Sequence, residues 1–276
     1  MEKTTEIVFE SPTFKQRLKG MLGVDFYRLF HTPLFYIFLG IAAIIPAMLI
    51  AMTGMSGPNG EPSQPLFTNV WQAIAADKPI YGFEGIDKYA NMNMVFIFGG
   101  IMVSIFIGHD YQSGYVKQLF TTHAKKQDYM ISKTLSCAFA MASMCVAYII
   151  GAVVAGAVTQ TSFQVNAGNL ICAILGKMLM SLGWASLYTF INVILRRYFG
   201  ISIAASFLLG TGVLVIGVGS IIGNTPILNV FLYGSSVFAC LTSNLWTIVN
   251  CLAVSVAWTV IYIVVGSHIL NKSDVY

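Results

Sequence analysis

The chain has 276 residues, of which 57% are hydrophobic and only 9% charged, with a mean hydropathy of +0.75. Soluble domains carry about 25% charged residues, so a water-facing globular enzyme and a disordered chain are both excluded. The net charge of +4 is too weak a bias to suggest nucleic acid as a partner, and what matters is where the charges fall.

In chain order, the segment 1–33 comes first; its start, Met1–Lys19, is polar and charged with no secretory signal pattern, so the first span is expected to stay in the mature protein. Within it, Phe14, Leu18, Met21, Leu22, Phe26, Leu29 and Phe30 fall on one broad side of a helix. Lys15, Arg17, Lys19, Asp25 and Arg28 fall mainly elsewhere. That pattern predicts a helix lying in the membrane interface with its cations toward anionic lipid. It acts either as an anchor or as a lever on the first span, with Pro33 as the break between them.

Apolar runs of about 20 residues predict transmembrane helices. Six are present: Leu34–Met52, Met94–Gly108, Thr134–Val158, Leu170–Leu195, Ile201–Ile222 and Leu245–Leu270. They are longer than barrel strands and lack strict alternation, so closing every backbone hydrogen bond in lipid demands helices. Pro46 is expected to kink the first span or free a carbonyl. Small residues at Ser136, Ala140, Ser143, Ala147, Gly151 and Ala155 line one face of the third, and Gly212, Gly219 and Gly223 one side of the fifth. Such faces let helices approach closely, and a mobile surface beside a translocation path is the sharper reading of them.

Lysines and arginines set the orientation. Residues 1–33 carry five, 109–133 carry Lys117, Lys125, Lys126 and Lys133, the turn after the fourth span carries Arg196 and Arg197, and the tail carries Lys272. On the other side, only Lys78 and Lys88 fall in 53–93, and none falls in 159–169 or 223–244. Twelve against two predicts a multi-pass plasma-membrane protein with both termini in the cytoplasm.

The outer segment 53–93 is rich in Gly and Pro and then in aromatics (Phe67, Trp71, Tyr81, Phe83, Tyr89), with a net charge of −2. It is expected to be a solvated cap with interfacial anchors, the alternative being an attractor of cationic amphipathic peptides. The uncharged segment 223–244 fits a short re-entrant element better than a seventh span. Lys177 is the one charge deep in a predicted span. Met178–Leu195 alone is long enough to cross, so Lys177 is expected to snorkel at the outer interface, the alternative being a functional intramembrane charge. With Trp71 and Phe231 it is a candidate for a substrate path or outer gate.

The cytoplasmic segment 109–133 predicts a short helix on which Tyr115, Val116, Leu119 and Phe120 cluster as an exposed apolar knob rimmed by Lys117, after a turn at Gly114. Lys125, Lys126 and Tyr129 are expected at the headgroup level. Asp110, where the second span ends, is expected to pair with a cation of the interfacial helix or with Lys133, since a lone carboxylate there is costly.

An acidic residue at the end of span two, Gly114 four residues on, a short apolar helix, Lys125-Lys126, and then Tyr129 with Ser132-Lys133 leading into span three resemble the permease subunits of type-2 ABC exporters. The family commonly has Glu and Arg where this chain has Asp110 and Lys125-Lys126. The resemblance covers essentially the whole chain as one permease domain, 1–276. It implies an all-α fold of six transmembrane helices, an interfacial helix, a cytoplasmic coupling helix and a re-entrant element between the last two spans. It also implies that Asp110, Gly114, Tyr115, Val116, Leu119 and Phe120 form the coupling site for separate ATPase subunits, and that a second permease copy or homologue completes the pump. Permeases of this size resemble subunits that export antimicrobial peptides or confer immunity to bacteriocins and lantibiotics, so an amphipathic peptide is the expected substrate. A drug or lipid exporter and a non-transporting sensor or scaffold are the alternatives.

No phosphate-binding loop of the G-x-x-x-x-G-K-[ST] type occurs, and Gly176-Lys177 is followed by Met178. ATP and Mg are therefore expected on the partner ATPase, with no cofactor in this chain. No C-x-x-C pair, metal-ligand spacing among the four histidines, or nucleophile elbow is present, so no catalysis is expected within the chain.

Overall fold

The computed structural model describes residues 12–51, 69–75, 92–121, 125–163, 167–212, 230–238 and 245–272. Among them the architecture is helical, with one isolated bridge between Asn69 and Ser162. In chain order the helices are α1 (Phe14–His31), α2 (Pro33–Ala51), α3 (Val70–Ala75), α4 (Asn93–Gln112), α5 (Tyr115–Thr121), α6 (Lys126–Thr159), α7 (Ala167–Ile194), α8 (Phe199–Gly210), α9 (Leu232–Phe238) and α10 (Leu245–Lys272). Five of them, α2, α4, α6, α7 and α10, are long and apolar enough to cross a membrane. The expected fifth span is described only as α8, which is 12 residues long and ends at a left-handed Gly212. Gly219, Gly223, Cys240, His123 and the outer aromatics other than Trp71 lie outside the described residues.

The local chemistry explains the boundaries. α1 starts at a capping box in which the Thr13 hydroxyl accepts from the Gln16 amide and the Gln16 side chain accepts from the Thr13 amide. Pro33 opens α2 at its first position, where a missing N–H costs nothing. Pro46 sits buried inside α2 and leaves the Ala42 carbonyl without its helical donor. α6 begins eight residues before the expected third span, because Lys126, Asp128 and Lys133 find partners inside the molecule.

α6 is the hub. It packs along α2 and α7, and α1 lies across its first turns. α10 packs on α7, and α8 on α4. The small-residue face of α6 does allow close approach: a Cβ at Gly151 would overlap the Ala43 carbonyl of α2. In the middle of the bundle, Phe96, Trp184 and Tyr188 stack at 5.5 and 5.6 Å. The Tyr188 hydroxyl donates to the Phe96 carbonyl at 2.9 Å, and the Trp184 indole donates to the Ser236 hydroxyl of α9 at 2.9 Å. Asn192 of α7 donates to Ser104 of α4 at 2.9 Å, and Ser104 donates to Ser206 of α8 at 2.7 Å. Neutral side chains that satisfy one another in this way are the affordable polar contacts between apolar helices.

Candidate functional site: a buried knot of charges

The ends of α4, α6 and α10 that carry His109, Lys126 and Lys272 meet α1 and α5 at one end of the bundle, hereafter the charged end. Three of the positions on α1 that face α6 are Met21, Asp25 and Leu29, four residues apart in turn. Asp25 therefore lies on the buried side of α1, not on the polar side expected from its charge. The Lys133 ammonium lies 2.6 Å from Asp25 Oδ1 and 2.6 Å from Asp110 Oδ2. The Arg28 guanidinium lies 2.5 Å from Asp110 Oδ1, and the Ser132 hydroxyl donates to Asp25 Oδ2 at 2.6 Å. Asp110 and Lys133 are fully buried.

Two cations and two anions balance within this knot. Burying a single charge in such a place is prohibitive, whereas a balanced, tightly packed set offsets the desolvation. Aromatic faces complete the enclosure. Arg28 Cζ lies 4.3 Å from the Tyr115 ring centroid, and Lys133 Nζ lies 4.5 Å from that of Phe106. Burial, with Asp25 nearby, pushes the Tyr115 phenol above its usual range, so its ring meets Arg28 as a neutral face. A second pair, Arg17 Nε to Asp128 Oδ2 at 2.7 Å, ties the start of α1 to the start of α6. Lys126 donates to the Leu270 carbonyl at 2.6 Å, tying α6 to the end of α10.

The expectation that Asp110 pairs with the interfacial helix or with Lys133 is met by both partners at once. Gly114 turns the chain from α4 into α5 with φ +73°, a conformation that costs any L-residue. The exposed apolar knob is corrected. Val116 is buried, and Leu119 and Phe120 are partly buried against a cluster of Met21, Tyr129, Met130, Val193 and Leu270 from α1, α6, α7 and α10. Phe120 meets the Tyr129 ring edge-on at 5.6 Å. α5 instead turns Lys117, Gln118 and Thr121 outward. The apolar stripe read as a docking surface is the helix's own seat on the bundle. Tyr129, expected as an interfacial aromatic, is fully buried in that seat.

The candidates at the opposite end do not form one site. Lys177 is enclosed in protein and donates to the Asn93 side-chain oxygen at 2.9 Å, so it does not snorkel. Trp71, capped by the Asn69 side chain, is buried against Ala173 and Leu170 one to two turns away along α7. The Tyr148 hydroxyl holds α3 by donating to the Ala73 carbonyl at 2.8 Å. Phe231 lies apart and stacks on Trp258 of α10 at 6.2 Å.

Sequence reasoning missed Asp25 and Asp128 as members of the charged end. The signal was available: both are acids in otherwise basic, helix-forming segments, spaced to face the neighbouring helix. Neither a scan against protein-family models nor a search of curated proteins gives a match to this chain.

Proposed function

We propose that the chain is the membrane-spanning subunit of an ATP-driven type-2 ABC exporter, working with separate ATPase subunits and a second permease copy to move amphipathic peptides outward. In this reading both termini and the charged end are cytoplasmic. A sixth span continues from α8, and α9 belongs to the re-entrant element between the last two spans. The observation that carries the reading is the knot itself: Asp25, Arg28, Asp110 and Lys133 join the interfacial helix, the end of one span and the start of another, with α5 held beneath them by Tyr115. A push on α5 would therefore be delivered to α1, α4 and α6 together. The ATPase would meet the polar face of α5, at Lys117, Gln118 and Thr121.

The test is reconstitution. The full-length chain is purified with the ATPase that accompanies it and placed in proteoliposomes with a fluorescent cationic amphipathic peptide. ATP-dependent peptide movement, absent with a non-hydrolysable analogue, supports the proposal. Movement of dyes or labelled lipids alone replaces the peptide with a drug or lipid substrate. ATPase association with no transport of any of these assigns the chain to a sensor or scaffold, and a chain that assembles with no ATPase rejects the exporter reading.

A further inference from the structure

α1 carries more cations than the knot consumes. Arg17 is spent on Asp128 and Arg28 on Asp110, while the one acid of α1, Asp25, is spent on Lys133. Lys15 and Lys19 are exposed, and among the described residues neither has an ion-pair partner. The sequence sends the cations of this helix toward lipid, with one of them or Lys133 expected on Asp110, and the structure turns two inward, Arg17 and Arg28, and leaves Lys15 and Lys19 outside.

The side of α1 turned away from α6 forms a shallow groove of about 550 Å³, lined by Gln16, Lys19, Gly20, Gly23, Val24 and Tyr27. Gly20 and Gly23 leave its middle low, since beyond the helix's own backbone no atom of the described residues lies within 4 Å of where their Cβ atoms would stand. Tyr27 is 64% and Val24 44% exposed, and Phe30 on the same helix is 41% exposed. A water-facing helix does not keep such a row of bare apolar side chains beside unpaired cations.

We infer that this face of α1 is a binding site for an anionic phospholipid, with Lys15 and Lys19 taking the headgroup phosphate and the groove from Gly20 to Tyr27 taking the glycerol and upper acyl region. The occupant is set by complementarity: among the described residues this end of α1 offers two cations outside any ion pair and no unpaired acid, beside a slot with an apolar floor, and these match an anion attached to an apolar chain. The inference rests on the helices long enough to span a membrane, and not on the exporter reading, because it needs no ATPase and no substrate.

The test uses the full-length chain in nanodiscs of phosphatidylcholine with a minor fraction of phosphatidylglycerol, from which it is extracted in mild detergent and its retained lipids counted by mass spectrometry. The chain should retain phosphatidylglycerol above its bulk share. Each lysine near an anionic lipid surface is expected to contribute about fivefold, so K15Q/K19Q should lower the enrichment by at least that factor. K15R/K19R should preserve it, and K117Q, which removes an exposed cation from α5, should leave it unchanged. Both lysines are exposed, so the variants should keep the helical circular dichroism of the parent. Parental enrichment in K15Q/K19Q overturns the site, and an equal loss in K117Q reduces it to general charge attraction. Lysines protected from amine-reactive label in native membranes but not in phosphatidylglycerol nanodiscs would give the face to a protein partner and overturn the lipid assignment.

Discussion

The two ends of α6 are held by opposite means. Its first turns are fastened by ions: Asp128 to Arg17, Lys133 to Asp25 and Asp110. Its second half is fastened by the absence of side chain, with Gly151 against the Ala43 carbonyl and Gly156 against Val70. Ions give strong, directional links between elements far apart in sequence, at the cost of failing badly when one member is lost. Small residues give close backbone packing that depends on contact area and not on charge. Under the proposed function, a push arriving at the charged end would reach α6 through these ionic links.

The comparison breaks most sharply at Lys133. Lys133→Met leaves Asp25 and Asp110 buried with Arg28 alone to offset them, an expected loss of about 3–5 kcal/mol read from unfolding of the purified chain in detergent. Adding Asp25→Asn, which leaves Arg28 and Asp110 as one balanced pair, should recover much of that loss, because the uncompensated charge and not the missing bond dominates it. Gly151→Ala, on the packed side of the comparison, should cost about 1–3 kcal/mol in the same assay through overpacking against α2, and no charge change should rescue it. Gly114→Ala forces an L-residue into a left-handed turn and should cost about 1–2 kcal/mol. It should act on the α4–α5 joint while leaving the α2–α6 contact intact, as disulfide trapping between introduced cysteines can show. Ser104→Ala in the neutral network should cost only about 0.6 kcal/mol, near the average for hydrogen bonds between membrane helices.

Apolar runs made α2, α7 and α10 legible to within a few residues, since hydropathy alone decides what can sit in lipid. The start of α6 was not legible, because Lys126, Asp128 and Lys133 read as a loop until the partners on α1, α4 and α10 are known. Asp110 was placed correctly from cost alone: a carboxylate at the end of a span needs a cation. Asp25 was misplaced because a helical wheel sorts residues by polarity, and a buried salt bridge puts a charge on the apolar side. The inward turn of Val116 and Phe120 escaped for a related reason. Their neighbours Met21, Val193 and Leu270 come from three other helices, so an apolar stripe alone cannot say whether it faces its own protein or another. Span length alone sends Lys177 to the interface, whereas Asn93, at the start of α4, keeps it inside. The capping box at Thr13 and Gln16 is local chemistry, yet no expectation names it; it emerges with the structure.

The claim most in need of testing is that the knot transmits between α5 and the spans. A double-mutant cycle on Arg28 and Asp110 measures this directly, with ATP turnover of the reconstituted complex as the readout and assembly checked by co-purification. Arg28→Gln and Asp110→Asn should each lower substrate-stimulated turnover without loss of the ATPase. The double variant should be no worse than the poorer single, a departure from additivity worth at least about 1 kcal/mol. Undiminished turnover in Asp110→Asn, or losses that simply add in the double variant, would contradict the coupling account.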